Sequence, residues 1–135
     1  RALAKELGVA ADVHFYGFSD DIPGLFGISD INVLTSLREG LPRVVVEASL
    51  CNVPTVAFQV EGLDEILKKG EVGTIVPQRD VEALAEGIDY YLQYPDEAAK
   101  HAAAAQKHAA ENWDISVMVD RLRKIYQKVA QKLGK

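Results

Sequence analysis

The sequence predicts a parallel α/β fold, and three observations lead there. Short apolar runs recur at Val13–Tyr16, Ile31–Leu34, Pro54–Phe58 and Gly73–Val76. Segments with helical spacing separate them, and glycine, proline or acidic residues punctuate nearly every junction. Strands that alternate with helices build a parallel sheet with helices on its faces.

The elements follow in order. Residues 1–7 read as the tail of a helix stopped by Gly8, and Val13–Tyr16 as a first strand closed by Gly17. Ser19 to Asp21 offer caps for a short helix through Phe26, which Gly27 and Ser29 end before the second strand, Ile31–Leu34. A loop from Thr35 to Leu41 leads into a helix over 42–51, where Pro42 suits the first helical position because its missing N–H would have no intrahelical partner. Asn52 stands where a left-handed residue commonly terminates a helix. Pro54–Phe58 is the third strand, 59–64 a polar loop, 65–69 a helical piece ended by Gly70, and Gly73–Val76 the fourth strand.

Pro77 to Asp80 break the chain again. From a cap at Asp80, Val81, Leu84, Ile88, Tyr91 and Leu92 recur at helical spacing. The alanine-rich segment 98–110 has high helix propensity and few large apolar anchors, which predicts a peripheral helix. In the last helix Val119, Leu122, Ile125, Tyr126 and Val129 form an apolar stripe. No linker or internal repeat interrupts residues 1–135, so a single domain is expected.

Composition narrows the function. A net charge of −5 with no basic run longer than Lys68-Lys69 argues against nucleic acid as partner, because backbone binding draws on many Lys and Arg together. The lone Cys51 cannot form a disulfide within the chain, which fits a reducing, cytoplasmic setting. No transmembrane-length apolar run, signal peptide or lipidation motif is visible, although peripheral membrane contact by a longer parent remains open. The chain starts at Arg1, without Met and within a helical pattern, so it reads as a piece of a longer protein. G-x-G-x-x-G, P-loop, H-E-x-x-H and paired cysteines are all absent, which leaves dinucleotide, kinase-like and zinc readings without their usual residues. His14, His101 and His108 lie far apart, the first at a strand edge and the other two as solvent-facing polars. The acidic runs Asp20-Asp21 and Asp64-Glu65 read as solvated helix starts, and no metal is expected.

The strongest candidate for a site is Glu39-Gly40-Leu41-Pro42-Arg43-Val44-Val45-Val46-Glu47. Arg43 to Cys51 is apolar or small almost throughout, which predicts a buried helix, and a carboxylate there is costly unless something engages it. Two readings of Glu47 stay open. It pairs with Arg43 one turn earlier, or it accepts hydrogen bonds from a vicinal diol, as in ribose, seated over the helix N-terminus. The main-chain N–H groups of Leu41, Arg43 and Val44 would then face an anion such as a diphosphate. Glu39, on the preceding loop, could reach sugar hydroxyls beyond the phosphates, or be an ordinary solvated acid beside Arg38. In parallel sheets ligands bind beyond the carboxyl ends of the strands, so the loops at 16–18, 36–41 and 59–62 should converge. Gly17 would let the backbone approach a flat base, with Tyr16 or Phe18 nearby; a plain turn residue is the alternative.

Glu39, seven intervening residues and Glu47, set in Glu-Gly-Leu-Pro-Arg-Val-Val-Val-Glu-Ala, resemble the E-x7-E signature of retaining GT-B glycosyltransferases, closest to family 4. The likeness continues upstream through Val13-His14-Phe15-Tyr16-Gly17-Phe18 and the acid at Asp20 or Asp21. Downstream it runs through Ala48–Cys51, Pro54–Ala57, Gly62, Glu65 and Gly73–Val76, and so covers nearly the whole chain.

The resemblance implies the C-terminal, Rossmann-like half of a GT-B fold, truncated at its N-terminus, which binds a nucleoside diphosphate sugar for metal-independent hexosyl transfer to a hydroxyl. By that similarity Glu47 holds the ribose, and Glu39 contacts the donor sugar as the catalytic acid residue of the signature. Gly40, Leu41, Pro42, Arg43 and Val44 form the loop and helix start around sugar and phosphate, while Gly17 and Phe18 border the base. The partners implied are the nucleotide-sugar donor and a missing N-terminal domain that carries much of the acceptor site. The chain departs from the family at Asn52, where glycine is usual, and at Leu63-Asp64. The Arg and Lys that neutralise the diphosphate precede this segment, so the piece alone is expected to be inactive. A non-catalytic binding or assembly module of the same fold is the competing reading, and loss of either acid would mark it. A flavodoxin-like regulatory domain predicts an acidic cluster that Asp12, Asp20 and Asp30 do not form.

Overall fold

Thr55, Val56, Ala57 and Phe58 are all buried, and they make up β2 (Thr55–Phe58), the middle strand of a three-stranded sheet in the computed structural model, which describes residues 1–134. On one side lies β1 (Asn32–Leu34), parallel and in register Asn32 with Thr55 through Leu34 with Ala57. On the other lies β3 (Thr74–Val76), also parallel, with Val56 opposite Thr74 and Phe58 opposite Val76. A central strand covered on both faces is largely apolar, as Val56, Ala57 and Phe58 are. The one polar side chain, Thr55, accepts at Oγ1 a hydrogen bond from Asn32 Nδ2 at 3.1 Å, inside the β1–β2 pair.

Alternation along β2 divides the core in two. Ala57 packs with Leu34, Val45, Leu63, Ile66, Leu67 and Ala105 under α3 (Arg43–Leu50), α4 (Leu63–Ile66) and α6 (Pro95–Trp113). Val56 and Phe58 face the other way, onto Leu84 and Tyr91 of α5 (Val81–Gln93). Gly87 lets α5 approach the sheet closely, since a Cβ there would lie 2.8 Å from Val56 Cγ1. The helix α2 (Ile22–Gly27) seats Phe26 against Ala48 and Val53.

The caps lie where polar residues precede the helices. Asp21 accepts from the Gly24 N–H at 2.9 Å, and Asp80 from the Ala83 N–H at 2.9 Å. Asn52 closes α3 at φ 60, in the left-handed region. Replacing Asp80 with alanine leaves the Ala83 N–H without its cap, so the expected outcome is a loss of ~1 kcal/mol in unfolding free energy by urea titration.

Four expectations are corrected. Val13–Tyr16 is not a strand: β1 pairs only with β2, and without a neighbour to supply ladder hydrogen bonds the segment stays irregular, with Phe15 and Tyr16 exposed. Pro42 caps α3 rather than occupying its first turn, with φ −74 and ψ 76. The alanine-rich α6 is not peripheral. Its Ala102, Ala105 and Ala109 are buried, because small side chains let a helix lie close, and Gln106 donates to the Leu50 carbonyl at 2.9 Å. The histidines of α6 are engaged as well. His101 Nδ1 lies 2.8 Å from the Tyr91 hydroxyl and His108 Nε2 2.9 Å from the Glu65 carbonyl. Burial pushes the Tyr91 hydroxyl above its ordinary pKa.

The remaining helices are α1 (Ala2–Glu6) and α7 (Ile115–Lys132). The apolar stripe of α7 is present, but Val119, Leu122, Ile125, Tyr126 and Val129 are all exposed.

Candidate functional site

Because all three strands run parallel, their carboxyl ends share one edge of the sheet, and the loops 35–42, 59–62 and 77–80 gather there. Gln78 ties them together. Its amide Nε2 donates to the Leu37 carbonyl at 3.0 Å and to the Gln59 carbonyl at 2.8 Å. Gly62, at φ 80, turns the second loop against the first; a Cβ on it would stand 3.5 Å from the Gly40 carbonyl oxygen and 3.6 Å from Pro42 Cδ. Pro42 itself is fully buried, which anchors the start of α3.

Two depressions on this edge hold the acids. The first, about 560 Å³, is lined by Leu37, Arg38, Glu39, Gly40, Glu61 and Gln78. The second is a largely apolar groove of about 710 Å³ between the start of α3 and the chain around α7. Leu41, Arg43, Val46 and Glu47 form one wall, and Trp113, Ile115, Met118, Arg121, Leu122 and Ile125 face them, with Asn112. The carboxylates eight positions apart thus lie in different depressions, which adjoin at the Gly40–Leu41 peptide.

Glu47 is half-exposed rather than buried. In α3 only Val45, Ala48 and Ser49 are fully covered, so the helix is two-faced and Arg43 and Glu47 sit on its open side. The pairing of the two is real: Arg43 Nη2 lies 3.5 Å from Glu47 Oε1, with the arginine side chain 81% and the glutamate side chain 38% exposed. An exposed pair at that distance is worth only ~0–1 kcal/mol, so a ligand can displace it. The helix mouth offers fewer amides than expected. The Arg43 N–H is already donated to the Leu41 carbonyl at 2.8 Å, and the Val45 N–H to that of Pro42 at 3.0 Å. Among the described residues no protein acceptor takes the N–H of Leu41 or Val44.

Of the other residues singled out, Gly17 and Phe18 line neither depression. Gly17 turns at φ 80 with nothing near it, and Phe18 is 88% exposed. Glu61 lies in the 59–62 loop expected at the site, whereas Gln78 lies outside the loops the sequence points to. Both follow strands, so extending the strand-end rule to Pro77–Asp80 would have flagged Gln78. The far wall of the groove has no local signal, because 66 positions separate Glu47 from Trp113. The Trp113 indole N–H is buried there without a hydrogen-bond partner among the described residues. No grouping of three or more His, Cys, Asp or Glu side chains able to hold a metal occurs among the described residues. Nor is any helix there long and apolar enough to cross a membrane.

Comparison with known proteins agrees with this architecture. The family model described as "Glycosyl transferases group 1" matches residues 1–108. The D-inositol 3-phosphate glycosyltransferase of Rhodococcus erythropolis is 31% identical over 130 residues, covering 95% of this chain and 29% of the relative. A GDP-mannose-dependent alpha-(1-6)-phosphatidylinositol monomannoside mannosyltransferase of Mycolicibacterium smegmatis is 31% identical over 132 residues, covering 91% of this chain and 35% of the relative. Among solved structures, Anabaena Alr3699/HepE in complex with UDP and glucose superposes with a TM-score of 0.82 at 30% identity, over 98% of this chain and 35% of that one. The chain therefore spans roughly a third of the length of these relatives, and its parallel sheet with flanking helices is that of GT-B structures.

Proposed function

Since the chain belongs to the group 1 glycosyl transferases, we propose that it is the donor-binding part of a retaining, family 4-like enzyme that transfers a hexose from a nucleoside diphosphate sugar to a hydroxyl. In the transfer the bond from the anomeric carbon to the diphosphate oxygen breaks, and an acceptor oxygen takes its place. The nucleoside diphosphate leaves with the electron pair, and its oxygen takes up the proton that the acceptor hydroxyl releases. Support comes first from the placing of Glu39 and Glu47 on one edge of the sheet, in depressions that adjoin at the Gly40–Leu41 peptide. It comes also from the relative crystallised with UDP and glucose.

The ligand spans that junction. Glu47 accepts from the two ribose hydroxyls, and Arg43, released from Glu47, turns its guanidinium toward the phosphates. The N–H groups of Leu41 and Val44 add partial positive charge, the second at the start of a helix whose dipole favours an anion. Gly40 and Pro42 hold the chain in the turn that presents them. Glu39 then faces the hexose in the first depression. Gly17 and Phe18 border the base, one as an open turn and the other as an exposed ring. The negative diphosphate is balanced by these donors and by cations outside the chain, with no metal required. The isolated chain is accordingly inactive in this reading, and its setting is cytoplasmic.

Hydrogen bonds to a charged acceptor contribute ~1.5–3 kcal/mol, and each ~1.4 kcal/mol is tenfold in affinity. Glu47→Ala in the full-length enzyme should therefore weaken donor binding by roughly tenfold to a hundredfold, as read by calorimetry. The donor is first identified from a panel of UDP-, GDP- and ADP-sugars. Unchanged affinity in the variant refutes the assignment of Glu47, and a panel that yields neither binding nor transfer refutes the function.

A further inference from the structure

We infer that Gln78 is a positioning residue for Glu39, acting as a side-chain clasp that fixes the 36–41 loop to the edge of the sheet. The inference rests on the glycosyl-transfer reading and adds a residue to it. Gln78 follows β3, while the two carbonyls it holds belong to the loops after β1 and β2. One amide group thus bridges the ends of all three strands. The Leu37 carbonyl lies two residues before Glu39, and Leu37, Glu39 and Gln78 line the same cavity.

The chemistry of the bridge admits few substitutes. Both partners are carbonyl oxygens, which only accept, so the nitrogen end of the amide must face them with both hydrogens committed. A glutamate of the same shape would turn carboxylate oxygens on two carbonyl oxygens, and repulsion would replace attraction. A methionine of similar length would make no hydrogen bond. The loop has little else to hold it. Leu37, Arg38 and Gly40 are exposed, and Glu39 itself makes no ion pair among the described residues. An acid on such a loop faces a reacting sugar in one geometry only if something distant fixes its backbone, and misplacement by about 1 Å can cost on the order of a hundredfold in rate.

The test uses the full-length enzyme with Gln78→Met and Gln78→Glu. Donor hydrolysis without acceptor is followed on UDP-glucose, or on whichever member of the UDP-, GDP- and ADP-sugar panel the enzyme turns over. The expected result is a kcat lowered about tenfold in Gln78→Met and further in Gln78→Glu, with KM within about twofold of the parent. In a Glu39→Ala background Gln78→Met should add almost nothing, because groups that act as a unit are not additive. Hydrogen exchange of the 36–41 amides should quicken in both variants while the melting temperature stays within a few degrees.

Wild-type kcat in Gln78→Met, a loss confined to KM, or a full multiplicative loss on top of Glu39→Ala overturns the inference while leaving the function standing. An enzyme that neither binds nor turns over any donor on the panel overturns the function instead. In that case exchange still decides the clasp, and unchanged 36–41 amides in both variants would overturn it too.

Discussion

Glu39→Ala in the full-length enzyme is expected to lower kcat by roughly a hundredfold, while donor affinity falls by less than about tenfold. The asymmetry follows from where the two acids sit. Glu47 shares the groove with the start of α3, and in the proposed reading it meets the ribose, a part of the donor that does not react. Glu39 shares the other depression with Arg38, Glu61 and Gln78, where the proposed reading puts the hexose. Charge develops on the sugar ring as its bond to the diphosphate lengthens, and a carboxylate held near it stabilises that state more than the ground state. Removing one such electrostatic group commonly costs ~10²–10³ in turnover. An interaction made equally with bound substrate would instead appear mainly in KM. Steady-state kinetics together with calorimetric donor affinity separate the two. Equal losses in both would mean that Glu39 only anchors the sugar.

Leu67→Ala should be the most damaging single change to the fold among those considered. Leu67 is fully buried between α4 and the 3₁₀ turn Lys68–Gly70, in the cluster that includes Val45, Ala57, Leu63, Ile66 and Val72. Its methyl groups lie 3.0 Å from where a Cβ on Gly73 would stand, so the chain entering β3 packs closely against it. Truncation removes the buried methyls and leaves a cavity that the rigid sheet cannot close. Such changes cost ~2–5 kcal/mol. For a domain of this size the melting temperature should fall by about 10 °C, measured by circular dichroism. A shift of less than about 3 °C would mean that the site collapses around the smaller side chain. The neighbouring loop 59–62 would loosen with it, since Val60 and Leu63 belong to the same cluster.

Asp21, Asn52 and Asp80 do in three dimensions what their chemistry dictates locally, because a cap or a left-handed turn is decided within three or four positions of the chain. The runs at 31–34, 54–58 and 73–76 all form strands, and the middle one is covered on both faces, while Val33 of β1 is exposed. Val13–Tyr16 has the same composition and is no strand, because a strand exists only with a neighbour, and local sequence does not supply one. The burial of Glu47 was inferred from an apolar run, yet α3 turns Val44 and Leu50 outward along with it, so composition overstated how much of the helix is covered.

By itself the sequence determined the alternation of elements, their parallel order, and the pair of acids around a loop and helix start. These depend on period, propensity and spacing, which act over a few residues. Tertiary structure alone decided that Glu39 and Glu47 lie in separate depressions and that Gln78 holds the carbonyls of Leu37 and Gln59. It also decided that Trp113 and α7 form the groove's far wall. Gln78 is 41 positions from Leu37 and 19 from Gln59. Contacts of that reach are selected by how the helices pack on the sheet, a sum over the whole core that no local stretch of residues encodes.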